Sequence, residues 1–108
     1  MSDIVVTRND EGKTIEAVLN DRFEVRLEEN PTTGYTWGID SAEEKWLHLE
    51  GSTFISPEES GIGKGGIRVF TFRVRRGGVV SLRLKLRREW EKEGSEVDRF
   101  EVRIRAKA

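Results

Sequence analysis

The chain has 108 residues, 35% hydrophobic and 36% charged, which is enough to close one core without a metal or a disulfide, so one domain over residues 1–108 is expected. Cysteine is absent and histidine occurs once, at His48, which leaves no disulfide framework, no thiolate metal site and no Cys–His nucleophile; no metal and no cofactor is expected. A formal net charge of −1 gives no general pull toward nucleic acid or membrane, and neither is expected as a partner.

The start, Met1-Ser2-Asp3-Ile4, lacks the basic and apolar regions of a signal peptide, and with cysteine absent the expectation is a cytoplasmic setting. From there the chain reads as all-β. Asn9-Asp10-Glu11-Gly12 is a turn signal, followed by a weak inward triplet of Ile15, Ala17 and Leu19 and a second turn at Leu19-Asn20-Asp21-Arg22. Phe23-Glu24-Val25-Arg26-Leu27-Glu28 alternates apolar and charged residues, the period of a strand with one buried face. Tyr35, Trp37 and Ile39 form another inward triplet, with Trp37 a core residue. Residues 41–45 allow one turn of helix, and residues 46–49 a short strand with Trp46 in core or edge packing. Alternation returns at Phe70-Thr71-Phe72-Arg73-Val74-Arg75, then at Val80-Ser81-Leu82-Arg83-Leu84-Lys85-Leu86-Arg87, and again at Phe100-Glu101-Val102-Arg103-Ile104-Arg105. Between the first two of these, Gly77-Gly78 suits a tight hairpin. Short strands with regular turn signals indicate a sandwich or a barrel.

Charge is divided along the chain. Residues 1–61 carry 14 acidic and 5 basic side chains, and residues 62–108 carry 6 acidic and 14 basic. One reading is a basic face for an acidic partner; the other is that strands from the two halves pair opposite charges across a sheet.

Three loop segments carry the functional argument. In Asn30-Pro31-Thr32-Thr33-Gly34-Tyr35, Pro31 fixes φ and biases Asn30 to extended backbone, and Gly34 permits the positive φ that turns the chain onward. The two threonines are then either displayed on a preorganised loop or bonded to their own backbone. Gly61-Ile62-Gly63-Lys64-Gly65-Gly66 matches GxGxxG in form, but no strand precedes it and a strand rather than a helix follows, so it is no phosphate cradle. It reads instead as a loop whose backbone can approach a partner closely. In Arg88-Glu89-Trp90-Glu91, Trp90 falls beyond the Leu82, Leu84, Leu86 register; it is either a displayed aromatic beside Arg, the composition of interface hot spots, or a cap folded over the sandwich end. Residues 52–66 and 89–98 are long for strand connections, and such loops are kept mainly for function. Rigid loops at one end of a sandwich make a binding edge, and no catalytic constellation accompanies them.

These loops resemble the three loop motifs of chagasin-type inhibitors of cysteine peptidases. The likeness rests on Asn30-Pro31-Thr32-Thr33-Gly34-Tyr35 followed by Trp37, on Gly63-Lys64-Gly65-Gly66 followed by Phe70 and Phe72, and on Arg88-x-Trp90-Glu91. It implies an immunoglobulin-like antiparallel β-sandwich of about seven to eight strands, with the motifs on its BC, DE and FG loops. It also implies a protein that is no enzyme but a tight, reversible inhibitor of papain-like (cathepsin L-type) cysteine proteases, acting as a monomer. In that family the loops form a wedge: the segment matching Asn30–Tyr35 lies over the catalytic pair with Thr32 nearest, Gly63, Lys64, Gly65 and Gly66 line one side of the cleft, and Arg88 and Trp90 pack the other. The family's third motif carries Pro where this chain has Glu89, which loosens the loop and adds a charge, so weaker affinity or altered protease preference is expected. The competing expectation is an immunoglobulin-like binding module, or an inactive scaffold, that keeps the loops for a different partner.

Overall fold

The computed structural model describes residues 4–56, 65–88 and 96–108. Within them the chain forms β1 (Ile4–Val6), β2 (Thr14–Val18), β3 (Arg22–Glu29), β4 (Thr36–Ala42), β5 (Leu47–Ile55), β6 (Gly66–Val74), β7 (Gly78–Arg87) and β8 (Asp98–Lys107). Two four-stranded sheets result, in the orders β1-β3-β6-β5 and β2-β8-β7-β4. The pairings are antiparallel except at one edge of each sheet, where β1 runs parallel to β3 and β2 parallel to β8. The parallel pairs arise because β1 runs toward the end where β3 finishes, and the chain then reverses, so that β2 runs back alongside β8. After Val6 the chain crosses over through a 3₁₀ turn at Arg8–Asp10, where Asp10 Oδ2 accepts the Thr7 N–H at 2.9 Å. Lettered with β1 as A and β3 to β8 as B to G, the orders are the ABED and, beside the added β2 edge, the GFC of an immunoglobulin-like sandwich.

Alternation decides which face each strand buries. Phe23, Val25 and Leu27 of β3, Phe70, Phe72 and Val74 of β6, Leu82 and Leu84 of β7, and Phe100, Val102 and Ile104 of β8 are all buried. Phe23 stacks on Phe72 with centroids 5.3 Å apart. Each such side chain contributes about 1.5–3 kcal/mol on burial, and a slip of one residue would turn a strand's whole set outward, so register is strongly specified.

Four features differ from the sequence expectation. The single turn expected over residues 41–45 falls later, because Ser41 and Ala42 complete β4 and Glu43 O accepts the N–H groups of Trp46 at 2.9 Å and Leu47 at 2.8 Å. Strand β5 runs on to Ile55, because its Gly51-Ser52-Thr53 stretch is an exposed sheet edge that needs no apolar alternation; the connection expected over residues 52–66 is correspondingly shorter. Gly77-Gly78 closes no hairpin, since β6 and β7 belong to different sheets. The turn there passes from one sheet to the other, with Gly78 at φ +125°, and Trp46 Nε1 donates to Gly77 O at 3.1 Å. Tyr35 is not part of an inward triplet: it precedes β4, half-buried.

The two halves of the chain meet as opposite charges, through Arg68–Glu29 at 2.8 Å, Lys85–Asp40 at 3.2 Å and Arg105–Glu16 at 3.4 Å. At the end of the first sheet away from the long loops, Arg22 sits directly across from Arg73, a like-charge pair that would repel. A bulge between Leu49 and Gly51 aims Glu50 at both, 2.9 Å from Arg73 Nε and 2.8 Å from Arg22 Nε. The hydrogen bond from Arg73, and then that from Arg22, hold the Glu50 carboxyl below its ordinary range. A lowered folded value gives stability above the ordinary glutamate range that is lost as pH falls through the folded value. Glu50→Gln is therefore expected to lower the Tm at neutral pH, with the deficit closing below about pH 4; thermal melts across that range check this, and a deficit independent of pH would remove the electrostatic account.

Candidate functional site

Register places the loop ends together. Glu29, the last residue of β3, pairs with Gly66, the first of β6. Thr36, the first of β4, pairs with Arg87, the last of β7, and Leu86 pairs with Asp98, the first of β8. The strand ends that flank the connections over 30–35, 56–65 and 88–97 thus lie together at one end of the sandwich.

The first connection is a single 3₁₀ turn, Pro31–Thr33, closed by its own side chains. Asn30 Oδ1 accepts both the Thr32 N–H at 3.1 Å and the Thr32 hydroxyl at 2.8 Å. The Thr33 hydroxyl donates to Asn30 O at 2.8 Å and accepts the Tyr35 N–H at 3.3 Å. Gly34 follows at φ +80°, a left-handed conformation that glycine adopts without a Cβ penalty. The two readings of the threonines are therefore compatible: Asn30, Thr32 and Thr33 are exposed and at the same time hold the loop rigid.

The loop is braced on two sides. On one, Glu29 is buried at 4% exposure. Its Oε1 accepts the Trp37 N–H at 2.8 Å, and Arg68 grips the carboxylate through Nη2 at 2.8 Å and through Nε at 3.3 Å to each oxygen. Trp37 Nε1 donates to Glu28 O at 2.9 Å, so the residues flanking the loop are stitched together twice. On the other side, Arg88 Nε donates to Thr33 O at 3.2 Å and its guanidinium lies 4.3 Å from the centre of the Tyr35 ring. The third motif's arginine therefore packs against the first motif's aromatic.

Of the candidates from the sequence, Asn30, Pro31, Thr32, Thr33, Gly34, Tyr35, Gly65, Gly66 and Arg88 come together at this end. Gly63, Lys64, Glu89 and Trp90 lie outside the described residues. Gly66 answers a packing demand, since a Cβ there would lie 2.3 Å from Ile55 O, whereas one on Gly65 would make ordinary contact with Glu29 O at 3.4 Å. Sequence reasoning passed over Glu29 and Arg68. The signal was present, because Glu29 continues the inward register of Phe23, Val25 and Leu27, and Arg68 that of Phe70 and Phe72: two opposite charges on inward positions of paired strands.

A two-sheet sandwich with a braced loop at one end has the architecture of a loop-presenting binding protein. The particular family follows from comparison with known proteins. Residues 16–104 match the model of the chagasin family of peptidase inhibitors, I42, and the chain belongs to that family: its members are cysteine protease inhibitors, not enzymes. Among relatives, it is 28% identical over 106 residues to chagasin of Trypanosoma cruzi, covering 94% of this chain and 96% of that one. Among solved structures, the cysteine protease inhibitor EhICP2 of Entamoeba histolytica superposes with a TM-score of 0.83 at 22% identity, over 97% of this chain and 95% of that one. PbICP-C, solved in complex with falcipain-2, shares the fold with a TM-score of 0.59 at 11% identity, over 99% of this chain and 91% of that one.

Proposed function

We propose that this protein is a tight, reversible, competitive inhibitor of papain-like cysteine proteases, cathepsin L-type enzymes among them. It acts as a monomer whose three loops enter the active-site cleft as a wedge. The observation that carries the reading is the doubly braced Asn30–Tyr35 turn. A loop held by five internal hydrogen bonds, by Glu29 at its root and by Arg88 at its side has little conformational entropy left to lose on binding. Thr32 sits over the protease's catalytic pair and blocks it sterically, without a nucleophile or a cofactor. A rigid turn also resists the extended conformation a substrate adopts, so the inhibitor remains uncleaved. The solved complex of a structural neighbour with falcipain-2 supports a protease as the partner.

Titration into papain and a cathepsin L-type protease with a fluorogenic substrate tests this. Competitive inhibition with intact inhibitor is expected; no inhibition by a folded sample would transfer the loops to a different partner. Trp90→Ala is expected to weaken inhibition by about 30-fold, close to 2 kcal/mol, as loss of an aromatic anchor does. An unchanged inhibition constant would rule Trp90 out as an anchor.

A further inference from the structure

We propose that the buried Glu29–Arg68 pair is a positioning device that sets the Asn30–Tyr35 turn relative to the glycine loop, a role that rests on the inhibitory reading above. The pair touches both. Glu29 is the residue before the turn, and it holds the amide of Trp37 just after the turn. Arg68 lies two residues into β6, where the glycine segment ends, with its guanidinium 5.4 Å from the centre of the Phe54 ring. Gly65 passes against the Glu29 backbone and Gly66 pairs with it. A chain of contacts from β5 through Arg68 and Glu29 to β4 thus spans the roots of two loops.

Stability alone does not account for a carboxylate buried at 4% exposure. Desolvating an ion pair offsets most of its attraction, and apolar side chains of similar volume commonly hold a fold equally well. What an apolar pair lacks is direction. The fork of Arg68 fixes the plane of the Glu29 carboxylate through Nε and Nη2, and that plane fixes where Oε1 meets the Trp37 amide. A lysine or an aliphatic chain supplies no such plane.

The test compares wild type, Glu29→Gln, Arg68→Met and the double variant by thermal melting, by inhibition of papain, and by amide exchange at Thr33 and Tyr35 in the free protein. Each single change leaves one polar partner stranded and lowers the Tm. The double variant removes both charges and regains the Tm, yet it inhibits papain at least about tenfold less well, and Thr33 and Tyr35 exchange at least about tenfold faster than in wild type. Recovery of inhibition and slow exchange together with the Tm would overturn the proposal, leaving the pair a purely structural one. Arg68→Lys, which keeps the charge and loses the fork, provides a second arm should the double variant fail to fold. Weaker inhibition and faster exchange from a folded Lys variant are expected, and wild-type values for both would overturn the proposal. If wild type itself leaves papain and a cathepsin L-type protease untouched, the functional reading fails, while the exchange rates still decide whether the pair positions the turn.

Discussion

Thr32→Arg is expected to weaken inhibition of papain-like proteases by more than about 100-fold, roughly 2.7 kcal/mol or more of binding, while the Tm moves by no more than a few degrees. The two halves of this expectation come from different parts of the molecule. Thr32 is exposed, and its hydroxyl contributes only one of the bonds that close the turn. Its N–H still reaches Asn30 Oδ1 after the substitution, and the Thr33 bonds to Asn30 O remain. Loss of one exposed hydrogen bond costs about 0.5–1.5 kcal/mol at most, small for a sandwich whose core is built from the inward faces of both sheets. In the cleft the same side chain would sit at the apex of the wedge, where a long cation holds the turn away from the catalytic pair and must be desolvated without a partner. Inhibition constants with paired melts decide the matter. Undiminished inhibition by the arginine variant would remove Thr32 from the centre of the contact.

What could be read from the chain follows the physics of burial. Strands β3, β6, β7 and β8 each have one face in the core, and their period of two is visible without coordinates. Strand β1 has three residues, Ile4–Val6, too few for a period to register. The second half of β5 is an exposed edge whose Gly51, Ser52 and Thr53 carry the composition of a loop, so its hydrogen bonding to β6 leaves no mark in the sequence. The parallel edge pairings depend on the chain reversing between β1 and β2 as it changes sheets, which is a tertiary outcome. The loop end divides in the same way. Pro31 and Gly34 announce a constrained turn because their backbone restrictions are local, and Trp37 announces the core behind it. That Arg88 belongs to the same construction as Tyr35 was not legible, since 53 positions separate them in the chain and only the β4–β7 pairing brings them together. Glu29 and Arg68 were hidden by their chemistry: a charged residue on an inward position reads as the end of a strand unless its partner is sought on the paired strand.

Gly66→Ala is expected to destabilise the fold by about 2–3 kcal/mol, at the upper end of what one extra methyl costs in a tightly packed site. Neither Gly65 nor Gly66 has a positive φ, so alanine is conformationally allowed at both and the effect is steric. A Cβ on Gly66 would stand 2.3 Å from Ile55 O and 2.4 Å from the Phe54 ring. The ring can rotate aside, but Ile55 O belongs to the backbone of β5 where it is paired with β6, and it moves only if that pairing opens. On Gly65 the nearest contact for the same methyl is Glu29 O at 3.4 Å, which a shift of a few tenths of an ångström relieves. Gly65→Ala is therefore expected to cost less than about 1 kcal/mol, and the two variants form a matched pair for denaturant unfolding. The clash at Gly66 has a further consequence. Displacing Phe54 removes the ring over Arg68, and Arg68 holds Glu29, so inhibition should fall with stability in Gly66→Ala. Equal stability of the two variants would show that crowding does not select glycine at 66, and the close approach of a partner backbone would then be left as the reason for it.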